Sequence, residues 1–397
     1  MHLAQHSVLL DRVLALCPEI AARSEETERN RAVPPDLMRR LRDAGLFRLM
    51  VPKSLGGEEL SLLQAVRVIE ALARADGSAG WNAMVIFGYN VAVGRFPREA
   101  FDRVFSNGPD VAVRGALAPL GKAWTAEGGY LIAGQWPFAS GSYDPEWIMA
   151  SGRVYENGAP RLLPTGEPKM IMALLPATAA RFLDTWDTIG LCGSSSHDFV
   201  IDEAFVSDGY VGNLFDPSVP SQYETPLLRL PFRALAGPTH SAVVIGIARG
   251  ALDDIIELSH SKRGAFTPGL LLADDPVFKH RIGQLSARLA TVRGALDRMV
   301  LQVEQRAATH TVTTLYDGTE ASALVSFAHS ECVAIVDEIF ALGGSTPIYR
   351  SSPIQRRWRD VRCATQHVGA SPGNYGKLGD LLVAEPVAQE PRVAAGG

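Results

Sequence analysis

The sequence has few cysteines, and none of them forms a pair at the spacing of a metal or redox motif. The four residues, Cys17, Cys192, Cys332 and Cys363, lie far apart in the chain. This spacing argues against a disulfide framework and excludes the CxxC patterns of zinc sites and thiol oxidoreductases. We expect all four to be small, buried apolar residues.

An excess of charge of one sign and long hydrophobic runs are also missing. The 397 residues include 38 Lys and Arg against 43 Asp and Glu, a net charge of -5, whereas a nucleic-acid-binding surface needs a basic excess. No stretch reaches the roughly 18 apolar residues of a membrane helix. The first apolar stretch contains Asp11 and Arg12, which a secretory signal would not tolerate. We therefore expect a cytoplasmic protein with no nucleic-acid or membrane partner.

Several common catalytic motifs are absent from the sequence. No GxGxxG follows a strand, and there is no P-loop, no HExxH and no GxSxG. The nine histidines include no pair at ligand spacing with a carboxylate. These absences predict that the chain binds neither a nicotinamide dinucleotide nor a metal ion.

Hydrophobic periodicity divides the chain into three regions. Residues 1–110 have a helical period, with one helix between Pro35 and Gly45 and another from about Ser61 to Gly77. Residues 111–215 contain short apolar or alternating runs between turn signals, which is typical of an antiparallel barrel or sandwich.

The pattern becomes helical again over residues 225–385, after a linker rich in Pro, Ser and Gly. An apolar stripe from Val277 to Val303 predicts one helix of about thirty residues, and a later helix begins near Pro353 and contains RRWRDVRCATQHV. This region is expected to form a four-helix bundle. Residues 386–397 have the composition of a flexible tail.

This order of elements resembles the acyl-CoA dehydrogenase fold over nearly the whole chain. AGLFRLMVPKSLGGEEL is similar to the N-terminal segment of that family, and WDTIGLCGSSSHDFVIDEAFV to its segment in the middle of the barrel. GIARGALDDIIELSHSKRGAF is similar to the start of its helical bundle. The resemblance implies a mainly α protein with an N-terminal helical domain, a central β-barrel domain and a C-terminal four-helix bundle, assembled as a homotetramer.

The dehydrogenase reaction itself needs a carboxylate base, which this sequence lacks at the family's two positions. The late stretch RDVRCATQHVGASPGNYGKL has no Glu or Asp after Asp360, and LLRLPFRALAGPTH, at the start of the bundle, has none at all. Function must therefore be argued from other residues of the same fold.

Two segments resemble the flavin-dependent monooxygenase branch of the fold, whose members work with a separate reductase. These are GQWPFASGSYDPEW and RRWRDVRCATQHV, and the second is the better discriminator. The resemblance implies an enzyme that takes reduced FMN or FAD from the reductase and reacts it with O2 to form a flavin C4a-hydroperoxide. It would then oxygenate a small organic substrate of the aromatic or natural-product type.

The resemblance assigns catalytic roles to two residues. Ser140 is placed near flavin N5, where a hydroxyl can accept a hydrogen bond from the N5 proton; the alternative is a serine that satisfies a turn. His367 is the acid–base candidate because its ordinary pKa lies near neutrality; the alternative is a helical histidine that bonds locally.

Weaker assignments concern the remaining positions of the flavin and substrate sites. The predicted cofactor-binding residues, besides Ser140, are Trp136, Phe138, Ser194, Ser195 and Arg263, and the predicted substrate-binding residues are Trp81, Asn82 and Asp144. Barrel packing, turn formation in the run that ends at Ser196 and an ordinary surface arginine are the alternatives. Asp144 occupies the place where the branch often has a histidine, which leaves the substrate class open.

Two other functions remain compatible with the fold. An acyl-CoA dehydrogenase-type enzyme would bind FAD tightly and be reduced by an acyl-CoA. A non-catalytic homologue would bind flavin in neither redox state.

Overall fold

The computed structural model describes residues 7–214, 216, 219–264 and 267–384. Its N-terminal region is helical. Its helices are α1 (Val8–Ala22), α2 (Ser24–Asn30), α3 (Pro35–Ala44), α4 (Leu62–Ala75), α5 (Gly77–Val93) and α6 (Arg98–Phe105). The expected start of α4 is confirmed, because Ser61 and Gln64 form a reciprocal capping box. Gly77, predicted to end this helix, instead begins α5, because the Asp76 carboxylate accepts a hydrogen bond from the Ala79 N–H and caps the new helix.

The middle of the chain forms one sheet of eight strands. They are β1 (Val113–Ala126), β2 (Gly129–Trp136), β3 (Trp147–Glu156), β4 (Ala159–Pro160), β5 (Met170–Pro176), β6 (Arg181–Phe182), β7 (Phe199–Ser207) and β8 (Val211–Gly212). Their order is β6-β7-β2-β1-β3-β5-β8, with β4 paired to β3. The expected all-antiparallel arrangement is wrong at the centre, where β1 and β3 pair in parallel. The long connection through β2 and the loop after it allows this parallel pairing.

The C-terminal region is again helical, as the sequence predicts. Its elements are α7 (Pro226–Arg229), α8 (Phe232–Ser259), β9 (Arg263–Gly264), β10 (Thr267–Leu271), α9 (Pro276–Thr309), α10 (Leu315–Leu342), α11 (Pro353–Ala364) and α12 (Gly373–Ala384). The long helix predicted from the Val277–Val303 stripe is α9, which has 34 residues. Among the described residues no helix is long and apolar enough to cross a membrane. The predicted tail, 386–397, lies outside the described residues.

The structure corrects one helix that matters for the site. α11 ends at Ala364, and His367 lies beyond it as the N-cap of a short 3-10 turn. The predicted helix containing RRWRDVRCATQHV therefore extends four residues beyond the observed end of α11. As a result the His367 side chain is held by a turn rather than by a helix face.

Helix α5 connects the loops of the sheet with the bundle. It packs against α4 and α8, and its Trp81 side chain contacts both a loop of the sheet and the histidines of the bundle. These contacts bring residues from all three regions to one place.

Candidate active site

Two loops of the sheet run side by side at this place. The loop 138–142 follows β2, and the turn 191–196 precedes β7. The Gly141 N–H donates to Ser194 O at 2.9 Å, and the Ala139 N–H donates to His197 O at 3.0 Å. Phe138 and Ser195 have positive φ angles of 65° and 51°, a conformation that costs energy for residues other than glycine. Such strain is common where side chains are held for function.

Arg114 on β1 joins the two loops through hydrogen bonds to both. Its Nη2 donates to Ala139 O and to Ser195 O, each at 2.7 Å, and its guanidinium lies 4.3 Å from the ring centroid of Phe182. The side chain is buried, and this burial lowers the pKa of Arg114. The arginine thus fixes the spacing between the loops that carry Ser140 and Ser196.

Asn82 on α5 ties the same loops to the N-terminal region. Its Nδ2 donates to Gly193 O at 3.2 Å, and its Oδ1 accepts from the Ser142 N–H at 2.7 Å. The residue has no exposed surface. Its amide therefore forms hydrogen bonds within the protein, and the contact of Asn82 with substrate stays a prediction.

Asp360 on α11 anchors the turn 191–196 to the bundle. Its Oδ1 accepts a hydrogen bond from the Leu191 N–H at 2.6 Å. Burial, with a smaller contribution from the nearby charge of Asp76, raises the pKa of Asp360 to about 7. Asp360, in the Arg-Asp part of the RRWRDVRCATQHV segment, therefore positions the turn 191–196.

Three serine hydroxyls form a hydrogen-bonded chain, which we call the serine cluster: Ser140, Ser194 and Ser196. The Oγ of Ser196 lies 2.6 Å from that of Ser140 and 2.7 Å from that of Ser194. The Trp81 Nε1–H donates to Ser140 Oγ at 3.1 Å. Because an indole can only donate, Ser140 must accept this bond, and its own proton and second lone pair remain for other partners.

Three imidazoles from the bundle form a second group, the histidine cluster: His240 on α8, His329 on α10 and His367. The rings of His240 and His367 stack with centroids 4.0 Å apart and an interplanar angle of 29°. The Trp81 ring meets both edge-on, at 5.8 Å from His240 and 6.0 Å from His367. Trp81 therefore contacts the serine cluster through its N–H and the histidine cluster through its ring.

Burial keeps the histidine cluster uncharged at neutral pH. Desolvation lowers the pKa of His367 to about 4 and that of His329 to about 4. The pKa of His240 is also well below its ordinary value, first because of burial and then because of the neighbouring His367 and His329. An uncharged, aromatic-walled site next to a row of hydroxyls suits a planar ligand with a few polar groups.

Comparison with known proteins gives the family. Residues 5–100 match the family model of the acyl-CoA dehydrogenase N-terminal domain, and residues 238–372 match that of its C-terminal domain. Indole-3-acetate monooxygenase from Acinetobacter baumannii is 30% identical over 89% of this chain and 88% of its own length. The chain belongs to the flavin-dependent monooxygenases of the acyl-CoA dehydrogenase fold.

Two further similarities support this membership. The oxygenase subunit HsaA of a flavin-dependent monooxygenase from Rhodococcus jostii is 27% identical over 91% of this chain and 94% of its own. The crystal structure of the 3-HSA hydroxylase from Rhodococcus sp. RHA1 superposes with a TM-score of 0.87 at 26% identity, covering 96% of this chain and 98% of the other. This chain is thus the oxygenase component of a two-component flavin-dependent monooxygenase, which uses reduced flavin and O2.

The serine and histidine clusters contain the two residues assigned to catalysis from the sequence. Ser140 belongs to one and His367 to the other, with Trp81 between them. Their chemistry fits a flavin, because the hydroxyls offer both donors and acceptors and the tryptophan offers an aromatic wall. Ser194 lies in the same chain of hydroxyls, whereas Ser195 contributes its backbone carbonyl to Arg114.

The other predicted ligand residues lie in different surroundings. Trp136 is fully buried, stacks on Phe199 at 5.0 Å and donates to Ser151 O, so in this structure it packs the sheet instead of facing a ligand. Phe138 is 67% exposed beside Ser140. Asp144 is exposed on the loop before β3, and Arg263 is exposed on β9.

Sequence reasoning missed His240 and Arg114 and gave Ser196 too little weight. His240 lies in the apolar run HSAVVIGIARG, where one polar residue gave no functional signal. Arg114 lies in a strand without any motif. Both matter only because tertiary packing brings them to the loops and the bundle, and a buried polar residue within an apolar run was the one available hint.

Proposed function

We propose that this monooxygenase oxygenates a small aromatic substrate bound between the serine cluster and the histidine cluster. The single observation that carries the proposal is the continuous contact from the imidazoles through Trp81 to Ser140. The aromatic substrate in the name of the indole-3-acetate monooxygenase supports the same substrate class.

The serine cluster is proposed to hold the flavin. Bound reduced flavin supplies the oxygen chemistry: it activates O2 and delivers one oxygen atom. Ser140, which already accepts from Trp81, would accept a hydrogen bond from the flavin N5 proton with its second lone pair while donating its own proton to Ser196. Ser194 and Ser196 keep this hydroxyl oriented, and the exposed ring of Phe138 is available beside the flavin. Arg263 is proposed to approach the flavin phosphate.

The histidine cluster is proposed to handle the polar group of the substrate. An uncharged site excludes the water that would compete for hydrogen bonds, and it favours a neutral aromatic ring. His367 is the predicted acid–base residue, and its stacked neighbour His240 fixes the plane of the ring. Either FMN or FAD is compatible with these contacts.

We further propose a cytoplasmic homotetramer that has no nucleic-acid or membrane partner. The balanced charge supports the absence of a nucleic-acid partner, and the fold resemblance supports the tetramer.

The proposal is tested by supplying photoreduced FMN or FAD under ¹⁸O₂ to a panel of phenols and indoles that includes indole-3-acetate. Incorporation of one ¹⁸O atom into an aromatic product is the expected result. Anaerobic reduction of tightly bound FAD by an acyl-CoA, with no labelled aromatic product, would instead establish the dehydrogenase. A protein that binds flavin in neither redox state would be the non-catalytic homologue.

A further inference from the structure

His240 has an unused hydrogen-bonding atom. Its Nδ1 is buried and has no partner among the residues that the structure describes, and only 9% of the residue is exposed. A buried polar atom without a partner is costly, and a role in binding or catalysis is one reason for which it is retained. His240 is therefore the imidazole of the cluster with a free ring nitrogen at a defined position.

His367 is less free than the sequence suggests. Its Nδ1 accepts a hydrogen bond from the Gly369 N–H at 3.1 Å, which caps the turn after α11. The neutral ring must then carry its proton on Nε2, so that His367 faces a ligand as a hydrogen-bond donor. To act as a base it would have to accept a proton at Nδ1 and break the cap.

His329 carries its ring proton on the other nitrogen, Nδ1. Its Nδ1 lies 2.8 Å from Val325 O, and since a carbonyl only accepts, Nδ1 must carry the proton. The residue is 2% exposed. It therefore serves the packing of α10.

The charged surroundings of His240 are simple. Among the described residues, the ionisable groups that influence it are His367, from the segment after α11, and His329, from α10. Helix α5 brings only the uncharged indole of Trp81. No described carboxylate competes for a proton in this group.

We propose that His240 is a second catalytic residue, whose Nδ1 accepts the proton of the substrate's hydroxyl while His367 donates a hydrogen bond from Nε2. The O–H bond of the substrate breaks, its electron pair stays on the substrate, and a new N–H bond forms on His240. No oxidant is consumed in this step. The proton returns to solvent after the product leaves.

The stacking of the two rings supports this division of work. An imidazolium on His240 would lie against the face of a neutral His367, which is favourable, whereas two charged rings 4.0 Å apart would repel each other. The pair therefore carries at most one positive charge at a time. The inference rests on the proposed function, because it needs a substrate with an acidic proton.

The tautomers can be read in the flavin-free protein by ¹⁵N NMR of its histidines. We expect the proton on Nε2 for His367 and on Nδ1 for His329, with Nδ1 of His240 unprotonated; the signals are assigned with His240→Gln and His329→Gln. A proton on Nδ1 of His240, or a His367 protonated on Nδ1, would overturn the proposal. The NMR measurement does not depend on turnover, so its result can be distinguished from a failure of the oxygenation assay.

The kinetic test uses the aromatic compound that the wild type oxygenates fastest. His240→Gln should lower product formation by roughly 100-fold and remove the acid limb of its pH profile, whereas His280→Gln, on the exposed side of α9, should keep that limb. Unchanged affinity for reduced flavin shows that the His240→Gln protein is folded. Wild-type turnover and an unchanged pH profile in His240→Gln would contradict a proton-accepting role.

Discussion

The hydrogen bond from the Trp81 indole determines what the Ser140 hydroxyl can do. The indole N–H occupies one lone pair of Ser140, and Ser196 shares a second hydrogen bond with the same oxygen. The Ser140 oxygen is thus held in place by two hydrogen bonds before any ligand arrives. Such preorganisation is what a site needs to protect a reactive flavin.

Replacing Ser140 with alanine should therefore uncouple the reaction. One hydrogen bond of about 1.4 kcal/mol corresponds to a tenfold effect, so bound reduced flavin should be lost to H₂O₂ about tenfold faster. The measurement is the ratio of H₂O₂ to oxygenated product. Ser330→Ala, an exposed serine on α10, is the control and should leave that ratio unchanged.

His367→Ala should affect oxygenation far more than flavin binding. The variant removes the Nε2 donor but none of the hydroxyls of the serine cluster, so turnover should fall by about 100-fold or more. The dissociation constant for reduced flavin should remain near the wild-type value. His280→Ala, on the exposed side of α9, is the matched control. Unchanged turnover in His367→Ala would contradict the assignment.

At the scale of elements, the turn 191–196 depends on an acceptor supplied by α11. Asp360→Leu leaves the Leu191 N–H without its partner and should destabilise the protein by about 1–3 kcal/mol in urea unfolding. Asp360→Asn keeps an acceptor oxygen and is the control. Equal stability of the two variants at pH 5 would show that the turn does not need this bond.

A comparison of wild type with Asp360→Asn tests the raised pKa of Asp360. Between the ordinary pKa of 3.8 and about 7, the folded protein binds a proton at Asp360 that the unfolded chain has released. The contribution of Asp360 to the free energy of unfolding therefore falls as pH rises through that range. Wild type should therefore lose stability relative to Asp360→Asn between pH 4 and pH 7, by about 1.4 kcal/mol for each pKa unit. Parallel curves would contradict the burial of an ionisable carboxyl there.

The bundle should show the opposite dependence through His329. Its folded pKa of about 4 lies below the ordinary value of 6.5, so the unfolded chain binds more protons between these values and stability falls as pH drops from 6.5 towards 4. His329→Gln removes this group, and its unfolding free energy should depend less on pH in that window. Comparison with wild type at each pH isolates the effect from that of Asp360.

The elements also show how far sequence reasoning reaches. The apolar stripe of α9 and the cap of α4 are local, and both were predictable. The end of α11 was not, because it depends on a cap between His367 and Gly369 that no periodicity reveals. The parallel pairing of β1 with β3 and the place of His240 depend on contacts between distant segments. Trp136 belonged to a recognisable motif and yet lies in the sheet interior.

At the scale of the whole molecule, the enzyme should be incomplete without its reductase. The sequence has no dinucleotide-binding fingerprint, so NADH with flavin and this chain alone should give no product. An unrelated flavin reductase, or photoreduction, should restore turnover. Product formed from NADH by the purified chain alone would contradict the two-component organisation.

The central claim, that this chain activates oxygen on bound reduced flavin, can be tested directly by anaerobic mixing. The protein is loaded with reduced flavin, mixed with oxygenated buffer, and followed through the absorbance of oxidised flavin. We predict that oxidised flavin forms much more slowly than in free solution, because the serine cluster protects the bound flavin. Reoxidation at the rate of free flavin would contradict the account.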